Sequence, residues 1–526
     1  MKKHIISLGV TLVVAMIAYY FTLPAMNIQS IGFWAFALTL LAVFSFMELC
    51  LSVDEKGKFN SSVKVLVGSV SLILVIFVVV LVINIALSPM FTSKEYSRRI
   101  TINEEGVFAE DVKPVDFSKL PLLDKASSRK IGDRVMGQMP ELVSQFYVSD
   151  LYTQINYNDK IVRVTPLEYA DFFKFMANRK DGVKGYIMVD SVSGESSLVK
   201  LDKGMKYMDS AIFNKDLNRH LRFSYPTKVF GPKAFEIDDE GNPFWIVPTL
   251  KFKGVGLRRE VASVIVLDPI TGKSKEYSLD KVPKWVDHVY NADLIIDQVN
   301  DWGRYKDGFL NSIFGQRNVV MTTEGYNYLA MNGDLYLYTG ITSVSTDESN
   351  IGFILSNLRT KTTHFYAAPG AEEYSAMASA KGQVQQMNYD ASFPLLINLN
   401  SRPTYVLSLK DKAGLVKMYA FVDVEDYQRV VITDSARGIE RAAESYLESF
   451  KTVESDETIR KEIRIRNITN AVIDGNTFYY IEDYSGQRYR ASIKVGREVL
   501  PFVKHNDTIT ISYNQERDLI DIGKVE

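Results

Sequence analysis

The chain opens with three long apolar runs and then changes to short segments in which apolar and polar residues alternate. The apolar runs cover 4–26, 31–52 and 63–90. Each reaches the ~20 apolar residues that a helix needs to cross a hydrocarbon core of about 30 Å. Backbone groups inside a bilayer must bond within their own segment, so each run is expected to be helical. The pattern predicts a three-helix transmembrane region in residues 1–90.

Basic residues near the ends of these runs indicate the orientation in the membrane. After three crossings, one side carries the basic residues Lys2, Lys3, Lys56, Lys58 and Lys64. Basic residues favour the cytoplasmic side, and the turn around 24–30 on the other side has no charge. We expect a multi-pass protein of the bacterial cytoplasmic membrane with a cytoplasmic N-terminus and a large extracytoplasmic C-terminal domain. The basic residues within 94–99 fit this orientation least well.

One acidic residue, Glu48, lies near the inner end of the second apolar run. An acid at this position is either interfacial or makes a polar contact between helices or subunits inside the membrane. Three helices seldom form a pore alone, but an oligomer of this chain would supply more. Glu48 is therefore a possible intramembrane contact, and it keeps open a second hypothesis, a subunit of an oligomeric channel or transporter.

Beyond the membrane region the pattern predicts an α+β protein rich in strands. Prolines in residues 91–145 favour an extended juxtamembrane tether, with one helix over 124–139. Strand patterns dominate the α+β ectodomain predicted for 146–435. Capping-box spacing and helical periodicity predict helices over 165–179 and 284–302 within it. Helical spacing of apolar residues then predicts a linker over 436–456.

Two predicted hairpins share one turn pattern. The strand before DSVSG at 190–194 and the strand before DPITG at 268–272 both end in Asp-x-x-Ser/Thr-Gly. Asp can bond its own backbone there, and Gly supplies the positive φ. Hairpins at 353–365 and 405–421 follow the pattern loosely, and Asn-Gly predicts another hairpin around 332–333. The unit resembles the PepSY-type module, which implies a binding or inhibitory role, although ordinary hairpins with common turn chemistry fit the pattern too.

Residues 457–526 alternate as five short strands, which predicts a small closed β-barrel of the OB-like or SH3-like kind. Such barrels bind oligonucleotides, sugars or proteins, or cap an assembly. Four aromatic residues make a possible binding face: Phe478, Tyr480, Tyr484 and Tyr489. Because side chains alternate along a strand, part of the aromatic set must point into the barrel.

Composition and motifs narrow the function. Five of the 61 Lys/Arg and three of the 63 Asp/Glu lie in residues 1–90, so the rest of the chain has a net charge of −4. This balance gives no reason to expect nucleic acid as a ligand. The sequence GKS at 272–274 lacks the first glycine of a phosphate-binding loop, and five scattered histidines make no zinc spacing. We expect no cofactor, no metal and no catalytic residue.

The central region also resembles a family of membrane proteins from low-GC Gram-positive bacteria that is sometimes attached to the colicin V production group. The stretches that carry the resemblance are NRHLRF at 218–223, PKWVD at 283–287, NSIFGQR at 311–317 and TEGYNY at 323–328. The resemblance spans most of residues 30–430. It implies a membrane location and brings no defined activity and no functional residues.

The leading hypothesis from the sequence is a non-enzymatic protein of the bacterial cell envelope. Its partners would be the lipid bilayer, further copies of itself or another envelope protein. The extracytoplasmic domain would mediate protein interaction or assembly. A third hypothesis, an envelope hydrolase whose site is assembled from distant residues, stays open because sequence spacing cannot exclude such a site.

Overall fold

The computed structural model describes residues 2–52, 62–344, 346–451, 459–473, 476–513 and 517–524. By its internal contacts the chain divides into two compact units, Met1–Ala442 and Ala443–Glu526. The division falls inside the segment for which the sequence predicts a helical linker. The first unit holds the apolar helices and most of the soluble domain, and the second holds a small sheet.

Three long apolar helices begin the first unit, as predicted: α1 (Lys2–Thr22), α2 (Ile31–Ser52) and α3 (Ser62–Ala86). All three are long and apolar enough to cross a membrane. Their large apolar side chains are mostly exposed, which suits a surface covered by lipid. The Ser45 and Ser69 hydroxyls, 2.6 Å apart, join α2 to α3. The basic residues at positions 56 and 58 lie outside the described residues.

The soluble domain sits directly on one end of these helices. The Met26 N–H donates to the Pro226 carbonyl at 2.8 Å, which fastens the α1–α2 turn to the domain. The Asn84 side chain near the end of α3 bonds both the N–H and the carbonyl of Val255. The α1–α2 turn and the end of α3 therefore face the same domain. The chain's N-terminus lies at the opposite end of the bundle.

The segment predicted as a tether is packed rather than free. It contains α4 (Pro89–Ser97), β1 (Ile102–Asn103), α5 (Phe108–Asp111), α6 (Lys125–Gly137) and α7 (Pro140–Val143). The predicted helix over 124–139 is confirmed as α6, and the Asp124 carboxylate caps it by accepting from the Ser127 N–H at 2.8 Å. The prolines do extend the backbone, but apolar side chains such as Phe108 and Leu120 are buried.

Four antiparallel sheets follow in chain order, and we name them blades 1 to 4. Blade 1 comprises β2 (Phe146–Val148), β3 (Thr153–Tyr157), β4 (Lys160–Tyr169), β5 (Val183–Asp190) and β6 (Ser196–Met205), with α8 (Phe172–Asn178) after β4. After α9 (Leu217–Ser224), blade 2 comprises β7 (Val229–Phe230), β8 (Ala234–Ile237), β9 (Pro243–Lys253), β10 (Leu257–Leu267) and β11 (Ser274–Tyr277).

The next two sheets repeat this plan. After α10 (Ala292–Tyr305), blade 3 comprises β12 (Val320–Thr322), β13 (Asn327–Met331), β14 (Asp334–Ser343), β15 (Thr346–Asn357) and β16 (Thr363–Ala371). After α11 (Glu373–Gln383), blade 4 comprises β17 (Asp390–Ala391), β18 (Leu395–Leu399), β19 (Arg402–Lys410), β20 (Val416–Asp423) and β21 (Val430–Asp434). The helix α12 (Ile439–Lys451) follows.

All four blades have one topology. In each blade, two short strands pair with the same long strand, and two further strands continue the sheet as a meander. The short pairs are β2 and β3, β7 and β8, β12 and β13, and β17 and β18. The strand β1 adds a parallel partner to the outer edge of blade 3. A sheet topology repeated four times in sequence is the mark of a repeat architecture.

A shared turn marks the same corner of every blade. The side-chain Oδ1 of Asp190, Asp268, Asn357 and Asp423 accepts hydrogen bonds from the N–H groups two and three residues later. Asp190, Asn357 and Asp423 are the last residues of β5, β15 and β20, and Asp268 directly follows β10. The sequence pattern reveals the first two turns, and the structure shows that the repeat is fourfold.

Consecutive blades contact one another and close a ring. The Phe235 N–H of blade 2 donates to Thr153 Oγ1 of blade 1 at 3.3 Å. Blades 2 and 3 share a hydrophobic core with α10. Blades 3 and 4 are joined where the Ala371 N–H donates to the Val424 carbonyl at 2.9 Å.

The segment before α6 closes the ring between blades 4 and 1. Ser408 Oγ of blade 4 donates to the Leu122 carbonyl at 3.2 Å. The next N–H, of Leu123, donates to the Ser191 carbonyl of blade 1 at 3.1 Å. Four sheets in a closed ring form the arrangement of a small β-propeller, in which the inner strands surround a central space.

In the first unit, local sequence patterns predict an element correctly unless the pairing of distant strands overrides them. The hairpin at Asn332-Gly333 is confirmed, with both residues at positive φ as a two-residue turn requires. The helix predicted over 165–179 is wrong, because β4 continues to Tyr169 between two partner strands and α8 begins only at Phe172. The helix predicted from 284 begins at Ala292 instead.

The second unit is a five-stranded antiparallel sheet, as the sequence predicts. Its strands are β22 (Ile459–Ile473), β23 (Asn476–Asp483), β24 (Arg488–Ser492), β25 (Thr508–Tyr513) and β26 (Leu519–Lys524). Their order is β24-β23-β22-β25-β26, and a parallel bridge between Arg490 and Asp518 brings the two edges together. Ile463, Ile481 and Ile511 lie in its hydrophobic core.

Candidate ligand-binding site

A cavity of about 510 Å³ lies where the inner strands of the four blades meet. All four blades contribute to its wall: Tyr152, Thr153, Gln154 and Arg163 from blade 1, Pro232, Lys233 and Ala234 at blade 2, Tyr326, Asn327 and Tyr328 at blade 3, and Phe393 at blade 4. The start of α10 and the N-cap of α6 complete it. Its volume is within the range of small-molecule sites.

Arg163 is the unusual residue of this wall. Its side chain projects from the middle of β4 and is only 7% exposed. Among the described residues no carboxylate forms an ion pair with it, and its buried Nε has no hydrogen-bond partner. Burial lowers the pKa of the Arg163 guanidinium to about 10, so the group is still charged at neutral pH. No ion pair compensates the charge directly, and the Asp124 carboxylate, which pairs with Lys410, attracts it only from a distance.

Gln154 stands beside this arginine with its own polar atoms free. The two residues face each other directly across the β3–β4 pair. The Gln154 side chain is 2% exposed, and neither its Nε2 nor its Oε1 has a partner among the described residues. Buried polar side chains are nearly always hydrogen-bonded in folded proteins. A guanidinium and an amide that both lack partners in one cavity indicate a place for a polar group from outside the chain.

A network of hydrogen bonds holds the segment around His288, which also lines the cavity. Both Glu236 oxygens accept backbone N–H groups, from Asp287 and from His288, each at 2.9 Å. The Asp287 carboxylate accepts the Asn156 N–H at 2.7 Å. His288 Nε2 lies 2.7 Å from the Gln154 carbonyl, so this nitrogen carries the proton and donates. Burial lowers the pKa of His288, which keeps the imidazole neutral.

The other charges around the cavity are largely paired. Burial alone would raise the pKa of Asp124, but the Lys410 ammonium holds it below its usual value. Lys233 pairs with Asp209 at 2.6 Å. The charged residues that line the cavity, together with their ion-pair partners, are four basic ones (Lys125, Arg163, Lys233, Lys410) and three acidic ones (Asp124, Asp209, Asp293), a net charge of +1; Glu236 and Asp287 are not among the lining residues.

The cavity places hydrogen-bond donors next to apolar surface. A guanidinium with an adjacent amide presents donors in a plane that matches a carboxylate. The rings of Tyr152, Tyr326, Tyr328 and Phe393 offer apolar surface next to those donors. Within the described residues, no group of three or more His, Cys, Asp or Glu is placed to hold a metal ion.

Glu48, the predicted intramembrane contact, meets the first helix. Its Oε2 lies 2.9 Å from His4 Nδ1, which links α2 to the beginning of α1. The Glu48 side chain is fully buried among the described residues, and its second oxygen, Oε1, has no partner there. The contact therefore joins two helices of one chain and leaves one oxygen available.

The four predicted aromatic residues of the barrel do not share one surface. The prediction that Tyr489 lies on a binding face is wrong. Side chains alternate along β24, and the Tyr489 side chain points into the hydrophobic core of the second unit. Tyr480 and Tyr484 are exposed, and Phe478 is partly exposed beneath the Arg490 guanidinium at 5.8 Å. The structure keeps Phe478, Tyr480 and Tyr484 as candidates.

Sequence reasoning missed Arg163 and Gln154. A signal was available, because Arg163 is the only charged residue in the run IVRVTPL at 161–167, and its immediate neighbours are apolar. A charge inside a strand that is buried on both faces requires a partner or a function. The helix predicted from Thr165 hid this signal by ending the strand too early.

Comparisons with known proteins identify no family for the chain. No protein-family model matches it, and no curated protein matches it. A crystal structure of a variant ACO/RPE65 chimera is similar over 72% of this chain at 8% sequence identity, with a TM-score of 0.13. The match spans 62% of that chain, less than two thirds of its length. Likeness at this level carries no argument about function.

Proposed function

We propose that this chain is a non-enzymatic, membrane-anchored binding protein of the bacterial cell envelope, and that the cavity at the centre of the propeller holds a carboxylate of its ligand. The observation that carries the proposal is the Arg163 side chain, buried in the cavity wall without an acceptor. The rigid ring around it suits binding, because a preformed site loses little freedom when the ligand enters.

The energetics of burial favour a bound anion. Moving a cation out of water costs several kcal/mol even after relaxation, and an ion pair with good geometry offsets that cost. Arg163 has no ion-pair partner among the described residues, and the Asp124 carboxylate that acts on it is already paired with Lys410. A ligand carboxylate would satisfy the guanidinium, and the Gln154 amide could donate a further hydrogen bond.

The net charge and the aromatic rings of the cavity wall favour one kind of anion. A net charge of +1 matches a singly charged carboxylate better than a phosphate dianion, which would leave negative charge buried. Tyr326, Tyr328 and Phe393 favour an aromatic or apolar body attached to that carboxylate. Two sources share this chemistry, a free organic acid and the C-terminal residue of a partner protein. The second source would make the domain a mediator of protein interaction or assembly.

We propose the sides of the membrane on which the N-terminus and the soluble domain lie from the charges near the helix ends. The cytoplasmic N-terminus and the extracytoplasmic domain follow from the basic residues at the N-terminus and between α2 and α3. The direct seating of the soluble domain on one end of the helices supports an arrangement in which the whole domain lies on one side.

Finer fold assignments are proposals as well. For 457–526 we propose an OB-like barrel, supported by a first strand that pairs with both the second and the fourth and by the bridge that joins the third strand to the segment before the fifth. For 146–435 a PepSY-like unit would pair each hairpin with a helix. The sheet topology that all four blades share favours propeller blades over such units.

A subunit of an oligomeric channel or transporter is the second candidate function. Glu48 favours it, because Glu48 Oε1 is buried in the helix bundle without a partner among the described residues. A neighbouring copy of the chain could supply a donor to this oxygen.

Calorimetry on the full chain in lipid nanodiscs tests the binding proposal. The probes are N-acetylphenylalanine, its amide, phenyl phosphate and the peptide N-acetyl-Gly-Gly-Phe. We expect the acid to bind at least about tenfold more tightly than the amide, because a charge-assisted hydrogen bond contributes about 1.5–3 kcal/mol. Arg163→Met should abolish the difference. Arg129→Met is the matched control, since Arg129 is exposed and pairs with Asp150.

Each outcome decides one point. Tighter binding of the peptide than of the single acid indicates a partner's C-terminus, and equal binding indicates a free acid. Preference for the phosphate would refute the carboxylate. Absence of binding by all four probes, or equal affinity in the Arg163→Met chain, would count against the cavity as the binding site.

A further inference from the structure

An apolar segment is exposed immediately after α10. The segment, which we call the 310–314 segment, presents Leu310, Ile313 and Phe314, which are 68%, 50% and 82% exposed. It begins one residue after Phe309, which stacks on Tyr305, and forms a short π-helical turn over Asn311–Gly315. Three large apolar side chains on one short turn form a patch of the kind that marks a contact surface.

The structure places this segment near the membrane end of the domain. Tyr305 packs against Tyr96 of α4 with ring centroids 5.9 Å apart, and α4 begins only three residues after α3 ends. The Arg258 guanidinium lies 5.4 Å from the Tyr96 ring. Two residues away, the N–H of Gly256 donates to the Gln29 carbonyl just before α2. The end of α10 is therefore tied to the helix ends through short contacts.

The opposite end of α10 lies at the cavity. The helix runs from Ala292 at the cavity to Tyr305, and at 1.5 Å per residue it is about 21 Å long. The 310–314 segment follows the end of α10 that is tied to the apolar helices, and the cavity lies at the other end of α10. The apolar patch is not part of the ligand site.

A second exposed aromatic residue shows where the membrane surface lies. Phe223 of α9 is exposed, yet its ring lies 5.7 Å from the ring of Tyr19 in α1. Tyr19, Tyr20 and Trp34 stand at this end of the apolar helices, where aromatic residues gather at a membrane interface. Side chains of the soluble domain therefore already reach the level of the bilayer surface beside α1.

We propose that the 310–314 segment inserts its apolar side chains into the interfacial layer of the same bilayer that α1–α3 cross. Continuity with the helix ends supports lipid as the occupant. The flanking residues also suit it, because Lys306 and Arg317 are exposed and can meet lipid phosphates while the apolar residues lie deeper. The domain would then contact the membrane on two sides of the helix bundle, at Phe223 and at the 310–314 segment.

Site-directed fluorescence on the full chain in nanodiscs tests this proposal. In a Cys50→Ser background, which removes the only cysteine, single cysteines at 313 or 314 are labelled with bimane. Lipids that carry a nitroxide on the acyl chain near the headgroup then quench any label that touches the bilayer. Phe223→Cys is the positive control, and Asp293→Cys, at the far end of α10, is the negative control.

We expect quenching at 313 and 314 to equal that at 223 and to exceed that at 293 several-fold. Quenching at 223 alone, with 313 and 314 at the level of 293, would overturn the proposal. Disulfide dimers formed through Ile313→Cys without lipid quenching would also overturn it and assign the patch to a second copy of the chain. Circular dichroism of each variant shows whether it is folded.

Discussion

Two buried arginines of this domain differ in their hydrogen-bond partners. Arg222 is 6% exposed, and it donates to the carbonyls of Leu23, Tyr225, Pro226 and Lys228. Arg163 is equally buried and has no such acceptors among the described residues. The first arrangement stabilises the fold, and the second keeps donors available for a ligand. The difference gives a test that separates structure from function.

Arg163→Met should leave the ligand-free protein equally stable or more stable by up to about 2 kcal/mol, because replacing an uncompensated buried charge by an apolar side chain removes its desolvation cost. Arg222→Met should destabilise by roughly 2–4 kcal/mol, since several buried carbonyls lose their donor. Thermal midpoints in detergent measure both. Equal destabilisation by the two substitutions would show that Arg163 is structural.

Glu236 predicts a pH dependence of stability. Burial raises its pKa to about 7, whereas an unfolded glutamate titrates near 4.3. The folded state therefore binds more protons than the unfolded state between about pH 4.5 and 7. Stability should be greatest at the acidic end of this window and fall as pH rises to about 7. The full shift corresponds to about 4 kcal/mol.

Midpoints from pH 5 to 8 test this dependence. Glu236→Gln should reduce the loss of stability on raising the pH, and part of the loss should persist because burial also raises the pKa of Asp287 well above its usual value and that of Glu168 to about 7. Glu240→Gln, at an exposed turn, should follow the unmodified chain. A Glu236→Gln profile identical to that of the unmodified chain would contradict the assignment.

At the residue scale, sequence patterns predicted what depends on neighbours in the chain. The Asp-x-x-Ser/Thr-Gly turns were predictable because Asp190 and Asp268 bond N–H groups two and three residues away. The third turn, in the hairpin at 353–365, follows the pattern only loosely, since Asn357 replaces Asp and Lys361 takes the left-handed position at φ 64 that Gly occupies in the first two turns. The partners of Arg163 depend on four sheets, which no local pattern specifies.

At the element scale, the β9–β10 turn is the main clamp between the domain and α3. Asn84→Ala removes both hydrogen bonds to Val255 and should increase hydrogen exchange of the turn residues at 252–258. The expected cost is about 1–3 kcal/mol of local opening. Thr39→Ala is the control, because the Thr39 hydroxyl bonds only within its own helix, to the Ala35 carbonyl. Unchanged hydrogen exchange in the Asn84→Ala variant would mean that these two hydrogen bonds do not hold the β9–β10 turn against α3.

Element boundaries show where local patterns lose to tertiary pairing. The capping-box spacing that begins at Thr165 is present, but β2 and β5 bind β4 on both sides and keep it extended. The helix predicted from 284 starts late because Glu236 holds the backbone of Asp287 and His288 in an irregular turn. Long apolar runs such as 31–52 have no competing partner, and they were predictable almost to the residue.

At the scale of the whole molecule, the orientation follows from the charge pattern and awaits a direct test. In a Cys50→Ser background, Ser193→Cys lies at an exposed blade turn, and Lys58→Cys lies in the α2–α3 connection. A membrane-impermeant maleimide should label position 193 on intact cells and position 58 only after lysis. The reverse pattern would place the propeller in the cytoplasm.

The ring of four blades could not be predicted from one sequence. Each blade pairs strands that are close in the chain, so the hairpins were recognisable. Closure of the ring depends on contacts between distant segments, such as Ser408 with Leu122. The cavity exists only once the ring closes, and the site therefore had to come from the structure.

The most direct test of the central claim is a structure of the full chain in nanodiscs with N-acetylphenylalanine bound. We predict that both oxygens of its carboxylate lie within about 3 Å of Arg163 guanidinium nitrogens, with the phenyl ring against the aromatic wall of the cavity. A probe bound outside the cavity, or bound inside it with the carboxylate away from Arg163, would contradict the proposed function.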